Sequence, residues 1–517
     1  MKKKFICVFL AVVMTATLLA GCGNNNSGSS GGSSSSHTET ENVETVDSST
    51  SSVLKDGEKT VLTIVFPGSS SSPASLTKVE KAITEIVNET IDCEVDLQII
   101  EWGVYKEQTN LMLSSGESID AVLTIGTVAA AANSGQIMDI SDMIGIYAPE
   151  TIELMGNYIT GCYMGDELYG LPSYRDFASA SGLVCRTDIL EELSVDPDTI
   201  KSWEDVNTLL GQVKEAYPDL DVLVPANLQA GMLYMMMNGY FDQLYSEIAG
   251  VYYDGRDGLT AHSIYESDEF MEVAKQAYDW NQKGYFIADS TTLTETRQAF
   301  LSAGSCFGYI GTIHPGTKTQ ESINAGVDVT TIQINKQGSG TSNIANIQYS
   351  IPSASDAPEK ALALLNLIYS NPDIQNLLHW GIEGEDYVLV ADSVAGYPDG
   401  VNSDNTGWSN ETWLTGNATI GYAWETDVED VWTKYEEFNN NANFSPALGF
   451  SFDSSSVKNE ITAVSNVRDK YKALIYSGLS DPEETVAAFN KELQTAGIQK
   501  IVDEMQAQLD AWSQSNQ

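Results

Sequence analysis

The amino-acid pattern predicts an α/β protein built around a parallel sheet. Two observations carry this. Between residues 61 and 125, short apolar runs alternate with stretches of helical spacing, the order that feeds parallel strands. The rest of the chain keeps that texture, with no repeat of fixed period and no second low-complexity linker, so one large folded unit is expected rather than a string of separate domains.

Residues 61–66, Val-Leu-Thr-Ile-Val-Phe, read as a buried strand stopped by Pro67 and Gly68. Leu76, Val79, Ile83 and Ile86 then recur at helical spacing. Val95, Leu97 and Ile99 share one face of a second strand, Leu111 and Met112 sit in a second helical stretch, and residues 120–125 form a third strand ending at Gly126. Ligands of such sheets bind beyond the carboxyl ends of the strands, which points to the loops 67–72, 102–105 and 126–128. Further on, residues 182–186 read as a strand, and Ser202 caps a helix with Asp205 three positions on. Residues 305–312 read as a strand whose two glycines allow a close approach. Residues 347–352 are strand-like, 358–378 read as one apolar helix, and the chain from Lys458 is mostly helical.

Ahead of this body stands a leader. Lys2, Lys3 and Lys4 precede an apolar run over residues 5–19, shorter than the roughly 20 residues a spanning helix needs. Leu19-Ala20-Gly21-Cys22 follows. This spacing resembles the lipobox of bacterial lipoproteins, which implies that Cys22 is diacylated and becomes the mature N-terminus. Residues 23–52 are dominated by Ser, Gly, Asn and Thr. They read as a flexible tether reaching roughly 30 Å.

The chain of 517 residues carries 26 Lys+Arg against 72 Asp+Glu, a formal −46. That excludes non-specific binding to a nucleic-acid backbone, which needs clustered cations. With four His and six Cys, neither a histidine-rich metal site nor a disulfide scaffold is expected. No phosphate loop, dinucleotide fingerprint, zinc-protease motif or lipase elbow occurs, so no cofactor, no metal and no catalytic residue is assigned. Ser75-Leu76-Thr77-Lys78 and Ser403-Asp404-Asn405 imitate two elements of penicillin-binding enzymes, but the third, Lys-Thr-Gly, does not follow. Cys93, Cys162, Cys185 and Cys306 lie in apolar surroundings and read as buried free thiols.

Four stretches carry a wider resemblance: Glu101-Trp102-Gly103-Val104-Tyr105 with Leu113-Ser114-Ser115-Gly116-Glu117 and Asp120; residues 308–316, GYIGTIHPG; residues 379–387, HWGIEGEDY; and residues 445–453, SPALGFSFD. Through them the chain resembles the family 1 extracellular solute-binding proteins of sugar ABC transporters, in the Gram-positive lipoprotein branch with a C-terminal domain of unknown function. The resemblance implies a two-lobed periplasmic-binding-protein-like (type II) fold with interleaved lobes, closing on a ligand in the cleft. It divides the chain into a signal peptide (1–21), a tether (22–58), lobe one (59–172 and 346–388) and lobe two (173–345 and 389–517, with a helical C-terminus). It places strand crossings near Pro172, Ile347 and Tyr387.

The function implied is capture of a carbohydrate, an oligosaccharide, for delivery to ABC permease subunits, by a monomer held on the outer face of the cell membrane through its lipid anchor alone. The alternatives are a surface polysaccharide-acting enzyme and a receptor for a non-sugar solute such as a peptide. Sugar rings offer apolar C–H faces to aromatic planes, and hydroxyls to Arg, Asp, Glu and His. On that chemistry Trp102, Tyr174, Arg175, Tyr309, Thr312 and His314 are the candidate ligand-binding residues, with Phe450 and Asp453 as weaker ones. Trp380 reads as structural.

Overall fold

The computed structural model describes residues 52–68, 72–126, 128–224, 236–287, 296–402, 405–408, 411–427 and 430–515. The leader, Cys22 and nearly all of the tether lie outside the described residues. The body begins earlier than the expected residue 59. Lys360, 4% exposed, donates to Asp56 Oδ1 (3.0 Å), Glu58 O (3.0 Å) and Thr60 Oγ1 (3.3 Å). A buried ammonium needs such partners, and they fix residues 56–58 to the core.

The first lobe is a five-stranded sheet in the order Cys93–Ile100, Thr60–Pro67, Ala121–Ile125, Ile347–Ser350, Leu171–Pro172. Its first three strands are parallel, as the alternation predicted. Ile347–Ser350 returns antiparallel to Ala121–Ile125, with Tyr349 opposite Leu123. Leu62, Ile64, Phe66, Val95, Leu97 and Leu123 bury their side chains in one core with Val79 and Ile83 of the helix Pro73–Val87. The single helix expected over 358–378 is two, Pro358–Ser370 and Pro372–Trp380. Pro372 cannot donate its backbone N–H, and Asn371 Oδ1 accepts from Asp373 N–H and Ile374 N–H to start the second helix.

The second lobe holds a four-stranded sheet in the order Val329–Gln333, Ala180–Arg186, Cys306–Ile313, Asp221–Leu223. The two glycines of Cys306–Ile313 admit protein rather than ligand. A Cβ on Gly308 would stand 2.4 Å from the carbonyl oxygen of Val184, and one on Gly311 3.0 Å from the Tyr309 ring. The C-terminal helices Lys458–Tyr476, Pro482–Ala496 and Ile498–Ser515 pack on this lobe. Phe489 meets Tyr265 at a centroid separation of 5.1 Å. Cys93, Cys162, Cys185 and Cys306 are buried and free, and burial pushes the Cys93 thiol up to about 11.

Three segments run side by side between the lobes. Ser179 and Gly338 exchange backbone hydrogen bonds, Phe177 N–H donates to Asn439 Oδ1 at 2.7 Å, and Ser445 N–H donates to Ser339 O at 2.9 Å. The third crossing therefore lies near residues 439–445, not near Tyr387. After Tyr387 the chain stays on the first lobe: Trp408 and Leu414 belong to that lobe's core. Trp408 Nε1–H donates to Leu378 O, and Tyr422 N–H to Asn376 Oδ1. The expected assignment of 389–517 to lobe two thus fails for its first part, because an apolar ring 3% exposed is packed against lobe-one helices.

Candidate functional site

A cavity of about 720 Å3 opens between the lobes. From the second lobe and its crossing come Arg175, Asp176 and His314, with Thr319 and Gln320 of the helix Thr317–Ala325. Much of the remaining lining is aromatic: Trp380 at the end of its helix, then Tyr397, Trp408, Trp413, Trp424 and Trp432, with Tyr435 beside Gly316 and Asp176. Trp380 and Trp424 stack at 4.6 Å between centroids and 27° between planes, with Tyr397 edge-on to Trp424 at 4.7 Å. Trp432 leans on Tyr435 at 5.6 Å.

Main-chain acceptors hold several of these rings. Trp380 Nε1–H donates to Tyr422 O at 3.2 Å and Trp432 Nε1–H to Gly421 O at 2.9 Å. With its one donor satisfied inside the protein, an indole presents only its flat face, which suits the C–H face of a polyhydroxylated ring.

The polar side is equally fixed. Arg175 Nη1 donates to Asp176 O (2.7 Å) and Oδ1 (3.3 Å), and Nη2 to Asn343 O (2.9 Å). It staples one crossing segment to another while lining the cavity. His314 Nδ1 lies 2.8 Å from Pro315 O and 3.6 Å from Asp176 Oδ2. Burial raises the Asp427 carboxyl, while the Trp424 N–H that it accepts opposes the rise. His379, fully buried in the wall, is pushed down to about 3 by the same desolvation.

Of the residues named from sequence, Arg175 and His314 meet in this wall. Trp102 reaches its rim by stacking on Trp413 at 5.7 Å, and its Nε1–H donates to Glu411 at 3.2 Å. It stands in the first turn of the helix Trp102–Ser115, not in a loop. The other three lie outside the described wall. Tyr309 is 0% exposed, under the Arg297 guanidinium at 4.5 Å and beside Glu321, so no ligand reaches it. Tyr174 packs edge-on against Phe177 and donates its N–H to Gly416 O. Thr312 pairs with Ser181 inside the sheet.

Trp380, read as structural, faces the cavity. Phe450 lines a smaller cavity of about 230 Å3 together with Gly126, Val128 and Asp242. Ile347 borders the large cavity and its neighbours Asn346 and Gln348 the small one, so the two lie on opposite faces of that crossing. Trp413, Trp424, Trp432 and Asp176 escaped the sequence reading. The available signal was density: five of the nine Trp fall between residues 380 and 432. Among the described residues no group of three or more His, Cys, Asp or Glu is arranged to hold a metal ion.

A two-lobed body with a cavity between its lobes has the form of a solute receptor, and the comparisons agree. Residues 73–374 match the bacterial extracellular solute-binding protein family, and residues 446–514 match a domain of unknown function (DUF3502). The first match takes in more than half of the chain, and the chain belongs to that family. A carbohydrate ABC transporter substrate-binding protein of Streptococcus pneumoniae serotype 4 is 24% identical over 523 residues, 98% of each chain. A crystal structure of the N-glycan transport solute binding protein (NgtS) of Streptococcus pneumoniae matches with a TM-score of 0.77 at 22% identity, covering 89% of this chain and 100% of that one. The complex of NgtS with Man1GlcNAc gives 0.65 at 22% identity over 88% and 99%. These names describe binding proteins rather than enzymes.

Proposed function

We propose that this protein captures an oligosaccharide in the cavity between its lobes and delivers it to an ABC permease. The observation that carries the reading is that stacked indoles and the polar group Arg175, Asp176 and His314 line one cavity of about 720 Å3. Stacked rings supply apolar planes, and the polar side supplies donors and acceptors for hydroxyls. The names of the relatives, a carbohydrate transporter component and a glycan-binding protein, support the same substrate class. Trp102, Arg175 and His314 belong to this proposal together with Trp380 and Trp424.

In this reading the protein acts as a monomer, anchored outside the cell through a diacylated Cys22. A Cys22→Ser variant leaves the membrane fraction if that is so, and its retention there in high salt would overturn the anchor. The binding claim is tested by thermal shift against a panel of N-glycan-type and lactose-based oligosaccharides. A ligand at 100 times its dissociation constant adds about 2.7 kcal/mol. The expected result is a shift with some of these chains and no new reducing ends. No shift with any of them would refute capture, and new reducing ends would favour an enzyme.

A further inference from the structure

The large cavity has a strongly one-sided charge. Its wall carries four carboxylates, Asp176, Asp386, Glu411 and Asp427, and among the described residues one permanent cation, Arg175. That guanidinium is engaged with Asp176 and with Asn343 O. Bonds from neutral donors reach the other carboxylates: Asp386 accepts from Ile382 N–H at 2.9 Å, Asp427 from Trp424 N–H at 2.8 Å, and Glu411 from Trp102 Nε1–H at 3.2 Å. Such bonds leave the negative charge in place. The sequence holds no Lys, Arg or His from Trp380 to Thr433, against eleven Asp and Glu.

A second observation concerns His379. It is buried in the same wall, and neither ring nitrogen has a partner of hydrogen-bonding geometry, although the backbone of Thr412 and Thr415 lies beside the ring. Desolvation keeps it neutral, its titration pushed down to about 3. It offers no positive charge to an anion.

We infer that this site selects uncharged glycans and rejects chains that carry a carboxylate, such as sialylated or uronic-acid-bearing ones. The inference rests on the carbohydrate reading above and narrows it. Hydroxyls of a neutral sugar donate to Glu411 and Asp427 with the added strength of a charged acceptor. A ligand carboxylate instead loses its hydration in a partly enclosed cleft, meets an Arg175 guanidinium whose two Nη atoms already bond Asp176 and Asn343 and whose partnerless Nε is buried, and stands among like charges at reduced dielectric.

The test uses matched probes: N-glycan-type and lactose-based oligosaccharides, each ending in sialic acid, in the methyl ester of that acid, or in the neutral sugar beneath it. The ester keeps the shape and removes the charge. Titration of the full-length protein is expected to show ester and neutral chains binding, and the free acid about 100-fold weaker. The gap should narrow to about 10-fold or less in Glu411→Gln/Asp427→Asn, and also in about 1 M salt. Equal binding of acid and ester, or preference for the acid, would overturn the charge selection and leave carbohydrate capture standing. A gap unmoved by both the double variant and salt would overturn it too, since its cause would then be shape. Failure of every chain to bind would overturn both.

Discussion

The strand Cys306–Ile313 and the segment from Trp380 to Tyr435 both place aromatics beside glycines, and the molecule uses them in opposite ways. In the strand, Gly308 and Gly311 make room for the neighbouring strand and for the Tyr309 ring, which ends fully buried under Arg297. In the segment, Gly421 supplies a carbonyl that fixes Trp432, and the rings of Trp380 and Trp424 stay half-buried at a cavity. Glycine next to an aromatic therefore says only that something comes close. Whether that is protein or ligand depends on which other segment completes the site.

Substitution separates the two uses. Tyr309→Ala truncates a packed core aromatic and should cost about 3–5 kcal/mol of stability, with the glycan affinity of the folded fraction intact. Trp424→Ala should do the reverse, weakening glycan binding by about 2 kcal/mol, some 30-fold, while the ligand-free melting temperature shifts little. Chemical denaturation and titration on both variants read the two effects. Equal effects from the pair would remove the distinction between core and cleft.

A smaller effect is expected on the far side of the crossing. Asp242 in the strand Phe241–Tyr245 is fully buried, one carboxylate oxygen has no partner, and burial pushes it up to about 6 despite a bond from Ser445. A carboxyl that binds its proton more tightly when folded stabilises the fold below its unfolded pKa near 4 and loses that contribution as pH rises to about 6. Asp242→Asn mimics the protonated acid. It should be more stable than the parent by roughly 1–2 kcal/mol above pH 6, and the difference should vanish near pH 4. A difference independent of pH would mean that Asp242 is not the titrating group. If glycan affinity changed as well, the two cavities would not be separable.

What the sequence disclosed follows the same division. The strands Thr60–Pro67, Cys93–Ile100 and Ala121–Ile125 were legible because each carries an apolar run against helices of clear period. Ser202 capping the helix Trp203–Ala216 was legible for a local reason, its side chain accepting from Asp205 N–H. The break at Asn371-Pro372 was written in the sequence and overlooked in a long apolar run. The cavity wall was not legible by period. The described residues between 388 and 424 form strands of two to four residues and single 3-10 turns, held by contacts such as Trp408 to Leu378 and Tyr174 to Gly416 across 30 to about 240 residues of chain. No window of sequence contains both partners. Arg175 lies three residues past the short strand Leu171–Pro172, where the resemblance puts a crossing, and His314 directly follows the strand Cys306–Ile313, whereas Tyr309 was misplaced because alternation along a strand does not say which face meets the cleft.

The proposed function has sugar held by the indole wall between the lobes. It is tested most directly by hydrogen exchange of the full chain with and without a glycan that shifts its melting temperature, since local protection reports where opening is suppressed. The strongest protection is expected over residues 411–427 and 314–323, which line the large cavity. Protection centred instead on residues 126–131 and 449–452, around the small cavity behind the crossing, would contradict it.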